Sequence, residues 1–171
     1  DLSIELYEAA HMYENLLQKS GIRLSYDEDV DANYYINGDR HRMKQVFLNI
    51  LDNAAKYGAD GKKIDIVLRR DGGKIVVSVR DYGQGIPEAE LPFVKEKFYK
   101  GSSKQRGSGI GLAVTDEIVT LHGGTLDIAS TLGAGTTVTV TLPAAEAEEA
   151  LGITGAIPKI PDTPFDPEGE N

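Results

Sequence analysis

Asn49-Ile50-Leu51-Asp52-Asn53-Ala54-Ala55-Lys56-Tyr57 reads as the second half of a helix that starts near Asp39 and stops at Gly58. At about 100° per residue, Asn49, Asn53 and Lys56 fall within roughly 60° of one another and form one polar stripe. Met43, Val46, Phe47, Ile50 and Ala54 make a separate apolar face, with Tyr57 between the two. Two amides, an amine and a phenol beside a buried face suit a polyanion with a bound cation and an aromatic ring, such as a nucleotide with its metal. Taken alone, the two Asn residues equally fit helix amides in ordinary packing hydrogen bonds.

Outward from that helix, hydrophobic spacing predicts a first helix over Ser3 to Lys19, stopped by Ser20-Gly21. Ile22 to Asp27 alternates as a strand, Tyr34 to Asn37 reads as a short strand, and Asp39 suits a helix N-cap. Ile64 to Arg69 and Ile75 to Arg80 are strands joined through Asp71-Gly72-Gly73, a hairpin signal. Glu88 to Val94 reads as a short helix and the polar, Lys-rich Lys95 to Arg106 as a mobile loop. A third long helix opens at Gly107 and runs to about Leu121, before His122-Gly123-Gly124. Thr125 to Ser130 and Thr136 to Leu142 pair as a second hairpin. The expected fold is α+β, a two-layer sandwich with a mixed, mostly antiparallel sheet of about five strands on three helices.

The 171 residues suit one domain of ordinary size, 1–143, followed by an acidic, Pro-rich and flexible tail, 144–171. That tail holds seven acids against Lys159 and so supplies −6 of the net charge of −9. The acidity argues against general nucleic-acid affinity. Lys95, Lys97, Lys100, Lys104 and Arg106 nevertheless make one basic loop that could receive a small anion. The absence of Cys excludes a disulfide framework, a thiol nucleophile and a Cys-based zinc site. No apolar run reaches the roughly 18 residues of a membrane span, and no signal peptide is visible. The first residue is Asp rather than Met, consistent with a piece of a longer protein.

Two glycine clusters frame the basic loop: Asp81-x-Gly83-x-Gly85-Ile86 before it and Gly107-x-Gly109-Ile110-Gly111-Leu112 after it. Glycines let backbone approach a ligand, and the second cluster opens a helix whose free N–H groups favour phosphate. A carboxylate at a strand end beside glycines, Asp81, can accept from an exocyclic amine such as that of adenine. Either cluster alone also fits a tight turn, with Asp81 as its cap. The second cluster follows a loop rather than a strand, so it is no Rossmann fingerprint, and GxxxxGK[ST] is absent. His41-Arg42-Met43 with Asn49 and Asp81-Tyr82-Gly83 parallels the catalytic loop and D-F-G of protein kinases. However, Met43 stands where the base belongs, and no V-A-I-K strand exists.

The ordered set is N-x-x-x-N-A-x-K-Y, D-x-G-x-G-I, F-Y-K-G, G-x-G-x-G-L and G-x-G-T-T. It resembles the ATP-binding catalytic domain of bacterial sensor histidine kinases, within the GHKL or Bergerat-fold ATPase superfamily, over about residues 1 to 142. The resemblance implies Asn53 as Mg²⁺ ligand with Asn49 its partner toward metal and phosphates, Lys56 on phosphate, and Tyr57 walling the adenine. Asp81 would read the adenine amine, with Gly83, Gly85 and Ile86 giving it room. Phe98, Tyr99 and Lys100 match the F box, Lys100 reaching toward the γ-phosphate. Gly107, Gly109, Ile110, Gly111 and Leu112 would flank the phosphates, and Thr137 belongs to the distal element Gly133 to Thr137. Asn49, Lys56 and Lys100 are thus the expected catalytic residues.

The implied activity is binding of Mg-ATP and donation of its γ-phosphoryl to a histidine on a dimerisation domain, with a response regulator served indirectly. Cytoplasmic placement without membrane contact goes with it. The chain departs from the family pattern at Lys95, where an aromatic residue is usual, and in a short loop after Lys100. Its three histidines, His11, His41 and His122, do not lie in a phosphoacceptor hairpin. A Ser/Thr-directed relative acting on an anti-sigma partner and a non-catalytic nucleotide-sensing module are the alternatives. The former usually carries Glu at the Asn49 position.

Overall fold

The computed structural model describes residues 1–97, 99–100 and 111–147. Among the described residues, three α-helices and five strands follow in chain order. They are α1 (Leu2–Lys19), β1 (Arg23–Glu28), α2 (Arg40–Tyr57), β2 (Lys63–Asp71), β3 (Lys74–Asp81), α3 (Gly111–Leu121), β4 (Thr125–Thr131) and β5 (Gly135–Pro143). The strands form one sheet in the order β1-β2-β3-β5-β4. Only β1 and β2 run parallel, joined by the α2 crossover. The remaining pairs, β2–β3, β3–β5 and β4–β5, are antiparallel.

The helices cover one face of this sheet, which gives the expected two-layer α+β sandwich. Its core is built by period: Ile64, Ile66 and Leu68 of β2 face inward with Ile75, Val77 and Val79 of β3 and Val138, Val140 and Leu142 of β5. From the other layer come Leu2, Leu6 and Leu17 of α1 and Met43, Val46, Phe47, Ile50, Leu51 and Ala54 of α2. The apolar face anticipated for α2 is therefore buried. Asp39 caps its start, its Oδ1 accepting from the N–H groups of His41 (2.8 Å) and Arg42 (3.0 Å), and Gly58 ends it. Near the cap, His122 Nδ1 donates to Ile118 O (2.7 Å), and His122 Nε2 accepts from Asp39 N–H (3.1 Å).

Two expectations need correction. Tyr34 to Asn37 is not a strand. Its backbone finds single partners instead of a ladder, Tyr34 O accepting from Leu2 N–H (2.9 Å) and Tyr35 O from Ala145 N–H (2.7 Å). The Tyr34 ring is buried, with its hydroxyl on Asp29. Glu88 to Val94 forms turns around a 3₁₀ segment, Leu91–Phe93. Pro92 lacks the N–H that an α-helix would send back to Glu88. Phe98 and residues 101–110, which carry the rest of the expected loop to Arg106 and the expected helix start at Gly107, lie outside the described residues, as does the expected tail beyond residue 147. Of the expected tail, Ala144 N–H bonds to Gly73 O (2.9 Å), and Glu146 pairs with Arg70 (3.2 Å).

Candidate functional site

The sheet period also sets the chemistry. Along β3, Ile75, Val77 and Val79 point into the helix layer, and Asp81 takes the next inward position, beside Ile64 of β2. The strand thus delivers a carboxylate where an apolar residue would continue the core, and Asp81 is only 6% exposed. Its Oδ1 accepts from the N–H groups of Gly83 (3.0 Å) and Thr136 (3.3 Å). Oδ2 accepts no hydrogen bond from the described residues. Burial pushes the carboxyl above the usual Asp range, and the two backbone N–H groups pull it back in part.

Backbone closes around Asp81 because side chains are missing there. A Cβ on Gly83 would lie closer than 3.0 Å to Tyr57 O and the Gly58 backbone, so this glycine lets the loop after β3 pack on the end of α2. Gly135, at φ +103°, would put a Cβ equally close to Asp81 O. The β4–β5 turn holds the same loop by Gly133 N–H to Gln84 O (2.7 Å) and Ile86 N–H to Ser130 Oγ (2.8 Å).

Above this frame lies a cleft of about 250 Å³. Ile50, Ala54, Val79, Ile86, Ile128 and Val138 supply apolar wall, with Asp81 set among them. The exposed side of α2 adds Asn49, Asn53, Lys56 and Tyr57, so the polar stripe opens into the cleft. Tyr99 and Lys100 approach from the segment after Val94, and Gly111 and Leu112 from the start of α3. Gly85 lines the cleft in the left-handed region at φ +72°.

Two expected residues are not in the cleft wall. Gly83 packs against backbone, as above. Thr137 stands on the opposite face of the sheet, because its neighbours Thr136 and Val138 take the cleft side of β5. The distal element meets Asp81 through Thr136 N–H instead. Phe98, Gly107, Gly109 and Ile110 lie outside the described residues.

Several lining residues escaped sequence reasoning. Asp52 binds Lys56 Nζ through Oδ2 (2.6 Å) and accepts from Tyr13 OH (3.3 Å). Its spacing of four from Lys56 was a legible signal. Gln84, Pro87, Glu90 and Val94 come from a loop with no periodic pattern. Burial, helped by Glu90, raises the Tyr99 hydroxyl above its ordinary pKa.

The stripe has room for a cation with its anion. Asn49 Nδ2 donates to Gly111 O (3.4 Å) and Thr115 Oγ1 (3.3 Å), while Asn53 has no hydrogen-bond partner among the described residues. Two amide oxygens are therefore available, a donor type suited to a hard divalent cation that also takes phosphate oxygens. No group of three or more His, Cys, Asp or Glu among the described residues could hold a metal by itself.

Residues 38–146 match the family described as histidine kinase-, DNA gyrase B- and HSP90-like ATPase. Sporulation kinase A of Bacillus subtilis is 38% identical over 122 residues, covering 71% of this chain and 19% of that protein. Signal transduction histidine-protein kinase ArlS of Staphylococcus epidermidis is 36% identical over 109 residues, 61% of this chain and 24% of that protein. The chain thus spans about a fifth to a quarter of these relatives. Among solved structures, the mycobacterial sensor histidine kinase MprB has 28% identity and a TM-score of 0.72 over 84% of this chain and 94% of that one. Full-length ShkA in complex with AMPPNP has 26% identity and a TM-score of 0.76 over 86% and 31%. With the family matched over more than half its length, the chain belongs to the histidine kinase-, DNA gyrase B- and HSP90-like ATPases, as a catalytic domain of the sensor histidine kinase kind.

Proposed function

We propose that this chain binds Mg-ATP in the cleft and donates the γ-phosphoryl to a histidine on a dimerisation domain carried elsewhere in the parent protein. The observation that carries this reading is the buried Asp81, with Oδ2 unused by the described residues, at the apolar end of a cleft whose other side is the Asn49, Asn53 and Lys56 stripe. An apolar slot with one buried acceptor suits a flat base bearing an amine. Asn49 and Asn53 would hold Mg²⁺, which when bound neutralises phosphate charge. Lys56 would exchange Asp52 for a phosphate, and Lys100 would reach the γ end. The AMPPNP carried by ShkA supports a ligand of this class.

In the transfer, the bond from the γ-phosphorus to the β–γ bridging oxygen breaks and a P–N bond forms to the imidazole. ADP leaves with the electron pair and the imidazole proton passes to solvent. The protein's share is positioning and charge neutralisation. Residues 1–143 would form the catalytic unit and 144–171 an appended tail. A response regulator would receive the phosphoryl later, and the cytoplasmic side, where ATP is, would hold the domain. No helix among the described residues is long and apolar enough to cross a membrane.

Titration with ADP and a non-hydrolysable ATP analogue, with and without Mg²⁺, tests the site. Asp81→Asn should abolish adenine-dependent binding, and Asn53→Ala should mainly remove the Mg²⁺ benefit. Unchanged binding in both variants would refute it. Mixing the domain with a separately made dimerisation hairpin and labelled ATP tests the transfer: acid-labile label on the hairpin is expected. Binding without transfer would favour a nucleotide-sensing module.

A further inference from the structure

Asn49 can serve a cation only if its amide oxygen, rather than its nitrogen, faces the cleft. An amide is nearly symmetric in shape, so its hydrogen-bond partners decide which end points where. Two groups stand behind Asn49. Gly111 O, 3.4 Å from Nδ2, is a carbonyl and can only accept. Thr115 Oγ1, 3.3 Å from Nδ2, belongs to a fully buried hydroxyl. That hydroxyl has a single proton, which it donates to Gly111 O at 2.7 Å. The oxygen therefore shows Asn49 only lone pairs. Both neighbours demand the NH₂ group, and the amide oxygen is left for the cleft that Asn49 lines.

We propose that Thr115 is a positioning residue: it fixes the Asn49 amide with its oxygen toward the divalent cation of the nucleotide site. This rests on the reading of Asn49 as a cation ligand given above. A flipped amide would aim two N–H donors at a cation, so orientation decides whether Asn49 helps or opposes metal. Helical Thr residues often bond back four residues within their own helix. Here that bond does more, because it uses up the one proton that could have let Asn49 turn around. No element of the nucleotide motifs includes position 115, and Thr115 does not line the cleft itself but touches it through Asn49 and the backbone of Gly111.

The test is the ratio of ADP affinities with Mg²⁺ and with EDTA, measured on the full chain. Thr115→Ser and Thr115→Ala lose the same methyl, and only Ala loses the hydroxyl. In Thr115→Ala the Mg²⁺ benefit should fall by about fivefold to tenfold, near the worth of one hydrogen bond, with EDTA affinity unchanged within about twofold. Thr115→Ser should keep the benefit. In an Asn49→Ala background, Thr115→Ala should have no further effect, because its influence passes through that side chain.

Equal Mg²⁺ benefit in Ser and Ala variants, or additive losses in the double variant, would overturn the proposal. If Asn49→Ala itself leaves the benefit intact, the cation-ligand reading fails instead, and the two failures are distinguishable. Thr115→Val, which keeps the side-chain shape, replaces Ala in the same comparison if Ala melts below the titration temperature.

Discussion

Replacing Asp81 by Asn separates what burial costs from what the carboxylate does. The side chain continues the inward row of Ile75, Val77 and Val79 and is 6% exposed, which raises its pKa. A carboxyl whose folded pKa lies above its unfolded value of about 3.9 contributes stability that is fully present below that value. The contribution is lost as pH rises through the folded pKa, so at neutral pH the ionised group burdens the fold. Asn can keep a carbonyl oxygen on the N–H groups of Gly83 and Thr136 and carries no charge. Asp81→Asn should therefore melt at or above the wild-type temperature at pH 7. Wild type should also gain on the variant as pH falls toward 4.

Binding should move the other way. The substitution turns Oδ2 from acceptor into donor, opposite an adenine amine that also donates. A hydrogen bond to a charged group is worth about 1.5–3 kcal/mol, and leaving a buried donor unsatisfied costs about 1–3 kcal/mol. Together these predict a loss of about 10² to 10⁴ in ADP affinity. IDP, with a carbonyl in place of the amine, should lose far less or gain, since an Asn NH₂ can donate to it. Calorimetric titration of both nucleotides beside thermal melts at pH 5 and pH 7 reads each part. Equal losses for ADP and IDP, or a variant that melts well below wild type, would refute the reasoning.

Two other substitutions probe the frame. Gly135→Ala combines a left-handed φ of +103° with a Cβ closer than 3.0 Å to Asp81 O. It should cost at least about 1–3 kcal/mol in urea unfolding and weaken ADP binding, because the Asp81 loop must shift. Phe47→Ala empties a fully buried position of α2 outside the cleft lining and should cost about 3–5 kcal/mol, read as a lower urea midpoint with an unchanged slope.

What the sequence made legible follows physical range. The α2 stripe, its buried face and both caps were readable because helical period, Asp39 and Gly58 act within a few residues. The hairpins were readable from strand alternation and the turn residues Gly72-Gly73. Tyr34 to Asn37 misled because its partners, Leu2 and Ala145, are far away in sequence, and alternation alone does not say whether a ladder neighbour exists. Thr137 misled in a different way. A motif names a segment, but a strand shows only alternate residues to one side, and register gave the cleft Thr136. Thr115 carried no signal, being an ordinary helix residue until α3 is packed beside Asn49.

Lys95 shows how a departure from a family pattern can be absorbed. Where an aromatic anchor is usual, its Nζ binds Asp116 Oδ1 of α3 and Leu126 O of β4, each at 3.1 Å. Lys97 Nζ lies 4.0 Å from Glu117 Oε2. Lys95 and Lys97, on the approach to Tyr99 and Lys100, are thus tied to α3 and β4 by charge. Such half-exposed pairs are worth about 0–1 kcal/mol and weaken as salt shortens the screening length from about 10 Å at 0.1 M to 3 Å at 1 M. Hydrogen exchange at the Tyr99 amide, which bonds to Glu96 O at 3.3 Å, should therefore accelerate with salt in the wild type. Lys95→Met keeps an apolar stem but loses both contacts. It should exchange quickly at low salt, respond little to added salt, and leave global unfolding within about 1 kcal/mol. An apolar anchor would show no salt response in either protein. Unaltered protection in Lys95→Met would mean that the ion pair does not hold the segment.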